Sequence, residues 1–146
     1  MLSTFGQPGP DQLIAISPDG TQVAYRDPVQ NIAGNIWTID FSRGVRTRLT
    51  FQQGVSGSSP VWSPDGSRIA FAAGNTLDTL FEKPSSGAGE AKELYKKAGE
   101  GKTPTSWSRD GRFLLYYVAT EKTGADLWVL PLEGNRKPVL LLGGFF

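Results

Sequence analysis

A four-residue turn signature recurs three times along the 146-residue chain at an almost constant interval. It reads Ser-Pro-Asp-Gly at residues 17–20 and 63–66, and Ser-Arg-Asp-Gly at residues 108–111. In such a turn the serine opens the chain reversal, the aspartate binds nearby backbone N–H groups and the glycine accepts a positive φ. A period of about 40–50 residues is typical of propellers, solenoids and repeat arrays. The chain is therefore predicted to consist of three repeated units.

Each unit contains four short stretches with strand-like composition, called strands a to d. Strand b of the second unit has Ile69 and Phe71 on one face and Ala70 on the other, so both faces are apolar and both are expected to be covered. Strand c of the same unit is predicted to be the weakest, because Glu82, Lys83 and Pro84 interrupt it. The predicted stretches are 13–17, 60–63 and 104–108 for strand a, 35–39, 79–83 and 126–130 for strand c, and 47–50, 91–95 and 138–142 for strand d.

The fold class predicted from this pattern is all-β: a β-propeller fragment of three four-stranded blades, which is half of a six-bladed ring. The predicted organisation is a lead-in at 1–12, blade 1 at 13–50, a connector and blade 2 at 51–95, and a connector, blade 3 and C-terminal tail at 96–146. The longer loops join strands b to c and d to a, and they are expected to gather at one mouth of the channel, where loops on a rigid scaffold usually carry binding. These loops are 27–34, 51–59, 74–78, 96–103 and 120–125.

Charge and composition exclude several classes of function. The formal net charge is +1 and no block of like charge occurs, so no nucleic-acid footprint is present. The sequence has no histidine and no cysteine, which excludes a Ser-His-Asp site, a Cys-His site, a zinc site built on these residues and any disulfide within the chain. No run of residues has the length and apolar character of a membrane span, and residues 1–10 lack the pattern of a secretory signal.

The residues that suggest chemistry are better explained by structure. Asp19, Asp65 and Asp110 share one turn position, which favours hydrogen bonds to the backbone over metal binding or acid–base catalysis. The four tryptophans occupy repeat positions and are interpreted as packing between blades; they are Trp37, Trp62, Trp107 and Trp128. No catalytic residue, cofactor-binding residue or metal ligand is predicted, and no cofactor is expected.

Two glycine-containing stretches are rejected as phosphate or dinucleotide sites. Residues 99–103 (Gly-Glu-Gly-Lys-Thr) are similar to the end of a phosphate-binding loop, but the preceding strand and the following helix are missing. Residues 87–89 (Gly-Ala-Gly) fail the dinucleotide pattern and are interpreted as a turn between strands c and d. The remaining basic side chains are interpreted as solvated charges; they are Arg43, Arg46, Arg48, Lys96, Lys97 and Lys102.

The order of these stretches resembles the WD-repeat-like blades of TolB-type propellers. The matching residues are the turn at 63–66, the following "RIAFA", and the first unit's "IWTID" and "TRLT". The third unit, at 104–108 and 126–138, is most similar to the C-terminal propeller of bacterial, acidobacterial-type receptor Ser/Thr kinases. Arg109 stands where the turn proline is expected, and the Gly-His and Trp-Asp pairs of eukaryotic WD repeats are absent.

The resemblance implies a non-catalytic module for protein or ligand interaction or sensing, within a larger bacterial protein such as a receptor kinase. It also implies a periplasmic or extracytoplasmic location, although the residues themselves leave the compartment unknown. One alternative is the gating propeller of a prolyl-oligopeptidase-type peptidase whose catalytic domain lies outside this chain. Another is a chain made for the study of propeller assembly. Expected partners are proteins or peptides, with no nucleic acid and no membrane segment in this chain.

Three blades leave two blade faces without neighbours. Propellers close with about four to eight blades, and burying apolar surface is worth about 25 cal/mol per Å². The apolar strand-b residues are expected to pack between neighbouring blades; they are Val23, Tyr25, Ile69, Phe71, Leu114 and Tyr116. We therefore expect either a homo-oligomer of three plus three blades or the remaining blades of a parent chain. Residues 1–12 or 139–146 are candidates for a strand exchanged between copies.

Overall fold

The computed structural model of the chain describes residues 14–27, 34–51, 57–121 and 124–144. Within these ranges there is no helix, and twelve strands form three four-stranded antiparallel sheets. The first sheet contains β1 (Ile14–Ile16), β2 (Gln22–Asp27), β3 (Asn35–Asp40) and β4 (Arg46–Arg48). The second contains β5 (Ser58–Trp62), β6 (Arg68–Ala73), β7 (Thr79–Pro84) and β8 (Lys92–Lys96), and the third β9 (Lys102–Trp107), β10 (Phe113–Thr120), β11 (Gly124–Pro131) and β12 (Val139–Leu142).

Each sheet is a simple meander, in which every strand pairs with the next one along the chain. The first strand of each sheet is therefore an edge strand, and β5 contacts both β1 and β9. Sheet 2 consequently lies between the other two, with the three first strands adjacent. This arrangement confirms the predicted all-β fragment of three four-stranded blades, and the sheets are called blades 1 to 3 below.

The turn between β5 and β6 shows why the signature residues are needed. The Ser63 hydroxyl donates to Asp65 Oδ1 at 2.6 Å and accepts the Arg68 backbone N–H at 2.9 Å. Asp65 Oδ1 also accepts the Ser67 backbone N–H at 3.0 Å. Gly66 donates its N–H to the Ser63 carbonyl at 2.9 Å and has a φ of 71°, where an L side chain is strained. The turn satisfies its own polar groups while it reverses the chain.

The same network is present in all three turns. The serine hydroxyl lies 2.6 Å from the aspartate Oδ1 in each one. These hydroxyl hydrogen bonds, followed by bonds from the residues after the glycine, lower the pKa of Asp19 and hold the pKa of Asp65 and of Asp110 at about 2. The predicted structural role of the three aspartates is confirmed, because their carboxylates stabilise the turns.

Two hydrophobic clusters lie between the blades. Ile69 and Phe71 of β6 belong to the cluster shared with blade 1, whereas Ala70 and Ala72 belong to the cluster shared with blade 3. The prediction that this strand is covered on both faces is therefore confirmed. The first cluster contains Ala24, Ile36, Leu49, Trp62, Ile69, Phe71 and Ala73, and the second Ala70, Ala72, Leu80, Leu94, Trp107, Leu114, Tyr116, Val118, Leu130 and Leu132.

The prediction of a weak strand c in blade 2 is wrong. β7 runs for six residues, as long as β3, and buries both Glu82 and Lys83. Glu82 accepts a hydrogen bond from the Arg68 guanidinium at 2.9 Å. Lys83 donates its ammonium to the Leu49 carbonyl of blade 1 at 2.7 Å. The two charges are tolerated because each has a partner, and Lys83 joins two blades.

Several predicted boundaries shift by a few residues. β5 begins at Ser58, so the connector predicted at 51–59 ends earlier. β10 reaches Thr120 and β11 begins at Gly124, so the loop predicted at 120–125 is shorter. The lead-in at 1–12 and the terminal Phe145 and Phe146 lie outside the described residues.

Candidate functional site

The three adjacent edge strands form an open groove of about 960 Å³. β1, β5 and β9 supply its walls, and the second residue of each Ser-x-Asp-Gly turn also lines it. Because these strands pair on one side only, their unpaired backbone edges are directed toward the groove. The lining residues are Ile14–Ile16, Pro18, 59–62, Pro64, 103–107, Arg109 and Tyr117.

The indoles in the groove wall have structural roles. Trp62 donates its Nε1–H to the Ala15 carbonyl of blade 1 at 2.9 Å, and Trp107 donates to the Gly111 carbonyl at 3.1 Å. Both side chains are 7% exposed and belong to the clusters between blades. Trp128 is half-buried and packs against the second cluster. These three tryptophans therefore pack between blades as predicted, whereas Trp37 lies on the outer face of blade 1.

The groove is lined mostly by uncharged side chains. Among the described lining residues Arg109 is the one charged side chain, and it lies where the other two turns have a proline. Thr105 and Ser106 of β9 are exposed, so their hydroxyls are accessible from the groove. Ser59 of β5 has a φ of 55° next to the irregular pairing of β5 with β6. The groove therefore offers backbone edges, hydroxyl groups and small apolar surfaces.

At the mouth predicted for binding, the structure reveals a buried lysine. Lys102 is 1% exposed, and its ammonium donates to the carbonyls of Asp78 at 2.6 Å, Glu100 at 3.0 Å and Lys97 at 3.1 Å. Burial lowers the pKa of this ammonium. The ammonium also lies 5.3 Å from the ring centroid of Tyr95. The interpretation of Lys102 as a solvated charge is wrong, because it ties the loop after β6 to the loop after β8.

The contacts of Lys102 also concern residues 99–103, whose sequence is similar to the end of a phosphate-binding loop. The Lys102 ammonium is surrounded by backbone carbonyls, so it is not directed toward a free anion site. Gly87 lies in the turn between β7 and β8 and donates its N–H to the Pro84 carbonyl at 3.0 Å. Of the other predicted mouth loops, residues 28–33, 52–56 and 122–123 lie outside the described residues.

The part of the chain that the structure describes has no candidate metal centre. No group of three or more aspartate, glutamate, histidine or cysteine side chains is placed to hold a metal ion there. Within the same ranges, no helix has the length and apolar character needed to span a bilayer. The candidate site is the groove between β1, β5 and β9, as a surface for binding.

No protein-family model matches this chain. Among solved structures it is similar to a putative TolB from Agrobacterium tumefaciens, with 24% identity, a TM-score of 0.71, and coverage of 88% of this chain and 49% of that chain. It is also similar to TolB from Acinetobacter baumannii, with 21% identity, a TM-score of 0.70, and coverage of 89% and 32%. A prolyl endopeptidase structure gives 19% identity, a TM-score of 0.66, and coverage of 90% and 22%.

These similarities show the fold: the chain is an all-β propeller fragment, and its fold is similar to that of the TolB structures. The chain spans about half, or less, of the length of these three solved chains.

Proposed function

We propose that the chain is a non-catalytic propeller module that binds an extended protein or peptide segment in the groove between β1, β5 and β9. The observation that carries this proposal is the open groove of about 960 Å³, with three unpaired strand edges directed toward it. An extended segment binds such edges through main-chain hydrogen bonds, and side-chain pockets between the strands provide specificity. The mostly uncharged lining favours segments with few charges.

We also propose that this module belongs to a larger bacterial protein, such as a receptor Ser/Thr kinase, with the propeller outside the cytoplasm. Residues 104–108 and 126–138 support this context through their resemblance to kinase propellers. In this setting the blades provide recognition, and any catalytic domain lies elsewhere in the parent chain. Further blades, from the parent chain or from a second copy, complete the ring.

An alternative proposal is a gating propeller of a prolyl-oligopeptidase-type peptidase. The similarity to a prolyl endopeptidase structure favours it, and the groove then becomes part of the substrate path. A peptidase assay on the longest product of the gene distinguishes the two proposals. Hydrolysis of prolyl peptides by that product supports the gating function, whereas a kinase domain in the same product supports the sensing function.

The groove is tested by selecting peptides from a random library on the purified chain and measuring their affinity for two variants. Thr105→Arg introduces a long charged side chain at an exposed position of the groove. Glu133→Arg is the matched control, because Glu133 is exposed in the turn after β11 and does not line the groove. We expect Thr105→Arg to weaken binding at least tenfold and Glu133→Arg to leave it unchanged. Equal affinity for the wild type and both variants would contradict the proposed site.

A further inference from the structure

We propose that the outer face of blade 3 binds the outer face of blade 1 of a second copy of this chain, and that two such contacts close a six-bladed ring. This inference goes beyond the proposed function, because it concerns the partner that completes the fold and holds whether or not the groove binds a peptide. The face of each blade toward the following blade is called the trailing face, and the opposite one the leading face. In blade 2, Ala70 lies on the trailing face and Phe71 on the leading face.

The trailing face of blade 3 has the residue pattern of a covered surface. Leu49, Leu94 and Leu141 occupy equivalent positions of the repeat, and Leu94 and Leu141 lie at an irregular pairing of strands c and d. Leu49 is 0% exposed and Leu94 is 6% exposed, because the next blade covers each of them. Leu141 has no following blade among the described residues and is 49% exposed. The difference between the exposure of Leu141 and that of Leu49 or Leu94 shows how much of this side chain a neighbouring blade would bury.

Other trailing-face positions follow the same rule. Ala24 and Ala70 are fully buried, whereas Leu115, at the equivalent position of blade 3, is a larger apolar side chain that is only half-buried. Tyr117 is 37% exposed, and Ala72 at its equivalent position is fully buried. The trailing face of blade 3 is thus at least as apolar as the two trailing faces that are already covered.

The leading face of blade 1 is the surface that would pack against the trailing face of blade 3. Ile16 is equivalent to Trp62 and Trp107, which are each 7% exposed, but Ile16 itself is 63% exposed. Phe41 is 43% exposed, whereas Leu132 at the equivalent position of blade 3 is 9% exposed. Apolar residues at covered positions of the repeat are therefore exposed at this end too.

Arg46 places a positive charge on the leading face of blade 1, and side chains of the same blade already contact its guanidinium. Its guanidinium lies 5.0 Å from the Trp37 ring centroid and 5.7 Å from that of Tyr25. It donates to the Tyr25 hydroxyl at 2.8 Å and to Asp27 Oδ2 at 3.2 Å. A stacked and paired guanidinium is more easily covered than a free one, so it does not prevent a blade from packing there.

A second copy fits these faces because they are the two halves of a contact that the chain already makes twice. Blades 1 and 2 pack trailing face to leading face, and so do blades 2 and 3. A head-to-tail contact between copies closes when the rotation that it imposes completes a circle. Two chains of three blades give six blades, within the range of natural propellers, and the second contact forms within an already associated pair.

The existing contacts also predict which residues meet. The Arg68 guanidinium of blade 2 lies 5.0 Å from the Trp107 ring centroid of blade 3. Phe113 is equivalent to Arg68 and Ile16 is equivalent to Trp107, from their places relative to the three turns. The ring therefore places Phe113 of one copy against Ile16 of the other.

The oligomeric mass in solution tests the inference directly. Light scattering on the wild-type chain is expected to give twice the 15.8 kDa mass of one chain. Leu141→Glu is expected to give a folded monomer, because the side chain is already exposed in the single chain. The control is Leu140→Glu: Leu140 is 47% exposed, but it pairs with Trp128 on the other face, and the equivalent Glu93 is exposed. We expect Leu140→Glu to remain a dimer.

Cross-linking tests the predicted pair of residues. The chain has no cysteine, so the double variant Phe113→Cys with Ile16→Cys carries the only thiols. A short bismaleimide is expected to give covalent dimers of this variant, and few of Leu140→Cys with Ile16→Cys. A wild-type monomer or trimer at micromolar concentration, or equal cross-linking of the two double variants, would overturn the inference.

Discussion

The serine, the aspartate and the glycine of the Ser-x-Asp-Gly turn each have a separate physical role. The serine hydroxyl bridges the carboxylate and the first N–H of the next strand, and the aspartate accepts N–H groups beyond the glycine. The glycine provides the positive φ that closes the reversal. These roles depend only on neighbours within five residues, which is why the turns could be predicted from the sequence.

Replacing the turn glycine tests the backbone part of this account. Gly66→Ala is expected to lower the free energy of unfolding by about 1 kcal/mol, because an L residue is strained at positive φ. Space is not limiting, since the closest atom to the added Cβ is a Pro18 carbon at 3.7 Å. Gly143→Ala is the control, because its Cβ makes ordinary contacts and its φ is not in the strained region. Urea denaturation at one fixed protein concentration measures both variants; equal stability of the two would contradict the account.

Acid titration tests whether the aspartate carboxylates stabilise the turns. The Ser63 hydroxyl is the largest cause that holds the pKa of Asp65 at about 2, below the value of 3.8 expected without these contacts. A carboxyl with a lowered folded pKa stabilises the fold fully above its unfolded pKa, and this stability is lost as the pH falls toward the folded pKa. The stabilisation from the three turns is therefore expected to be lost between about pH 4 and pH 2.

The measurement is urea denaturation between pH 2 and pH 7. Asp65→Asn is expected to be less stable than the wild type at pH 7 and to lose less stability on acidification. Glu133→Gln is the control at an exposed carboxylate outside the turns. If Asp65→Asn lost as much unfolding free energy as the wild type between pH 7 and pH 2, the carboxylate would not stabilise the turn.

At the scale of elements, buried cations join segments that are distant in sequence. Lys83 connects β7 to the carbonyl of Leu49 in blade 1, and Lys102 connects β9 to the loop after β6 and to the loop after β8. Local composition cannot reveal such contacts, because a lysine in a polar stretch of sequence is predicted to be solvent-exposed. The misreading of β7 has the same cause, since Glu82 and Lys83 are buried through partners on other strands.

Lys102→Met removes the charge and keeps an unbranched side chain. We expect a loss of about 3 kcal/mol in the free energy of unfolding, because charged hydrogen bonds are lost and carbonyls are left without a donor. Lys96→Met is the control at an exposed position at the end of β8, with an expected change within about 0.5 kcal/mol. Thermal and urea unfolding measure both variants, and a Lys102→Met chain as stable as the control would contradict the role assigned to Lys102.

At the scale of the whole molecule, the repeat determines the architecture and its open ends. Three turns at an almost constant interval, and apolar residues on both faces of β6, are sufficient to predict stacked blades. The face of the sheet on which Leu141 lies could not be predicted in this way, because the irregular pairing next to it changes the alternation of side chains. That detail, and the groove formed by three edge strands, required the structure.

The central claim is that two copies of this chain close one six-bladed ring, and small-angle X-ray scattering tests it most directly. The predicted result is scattering from a compact particle of two chains, with a radius of gyration of about 19 Å. A particle with the mass of one chain and a radius of gyration of about 15 Å would contradict the claim.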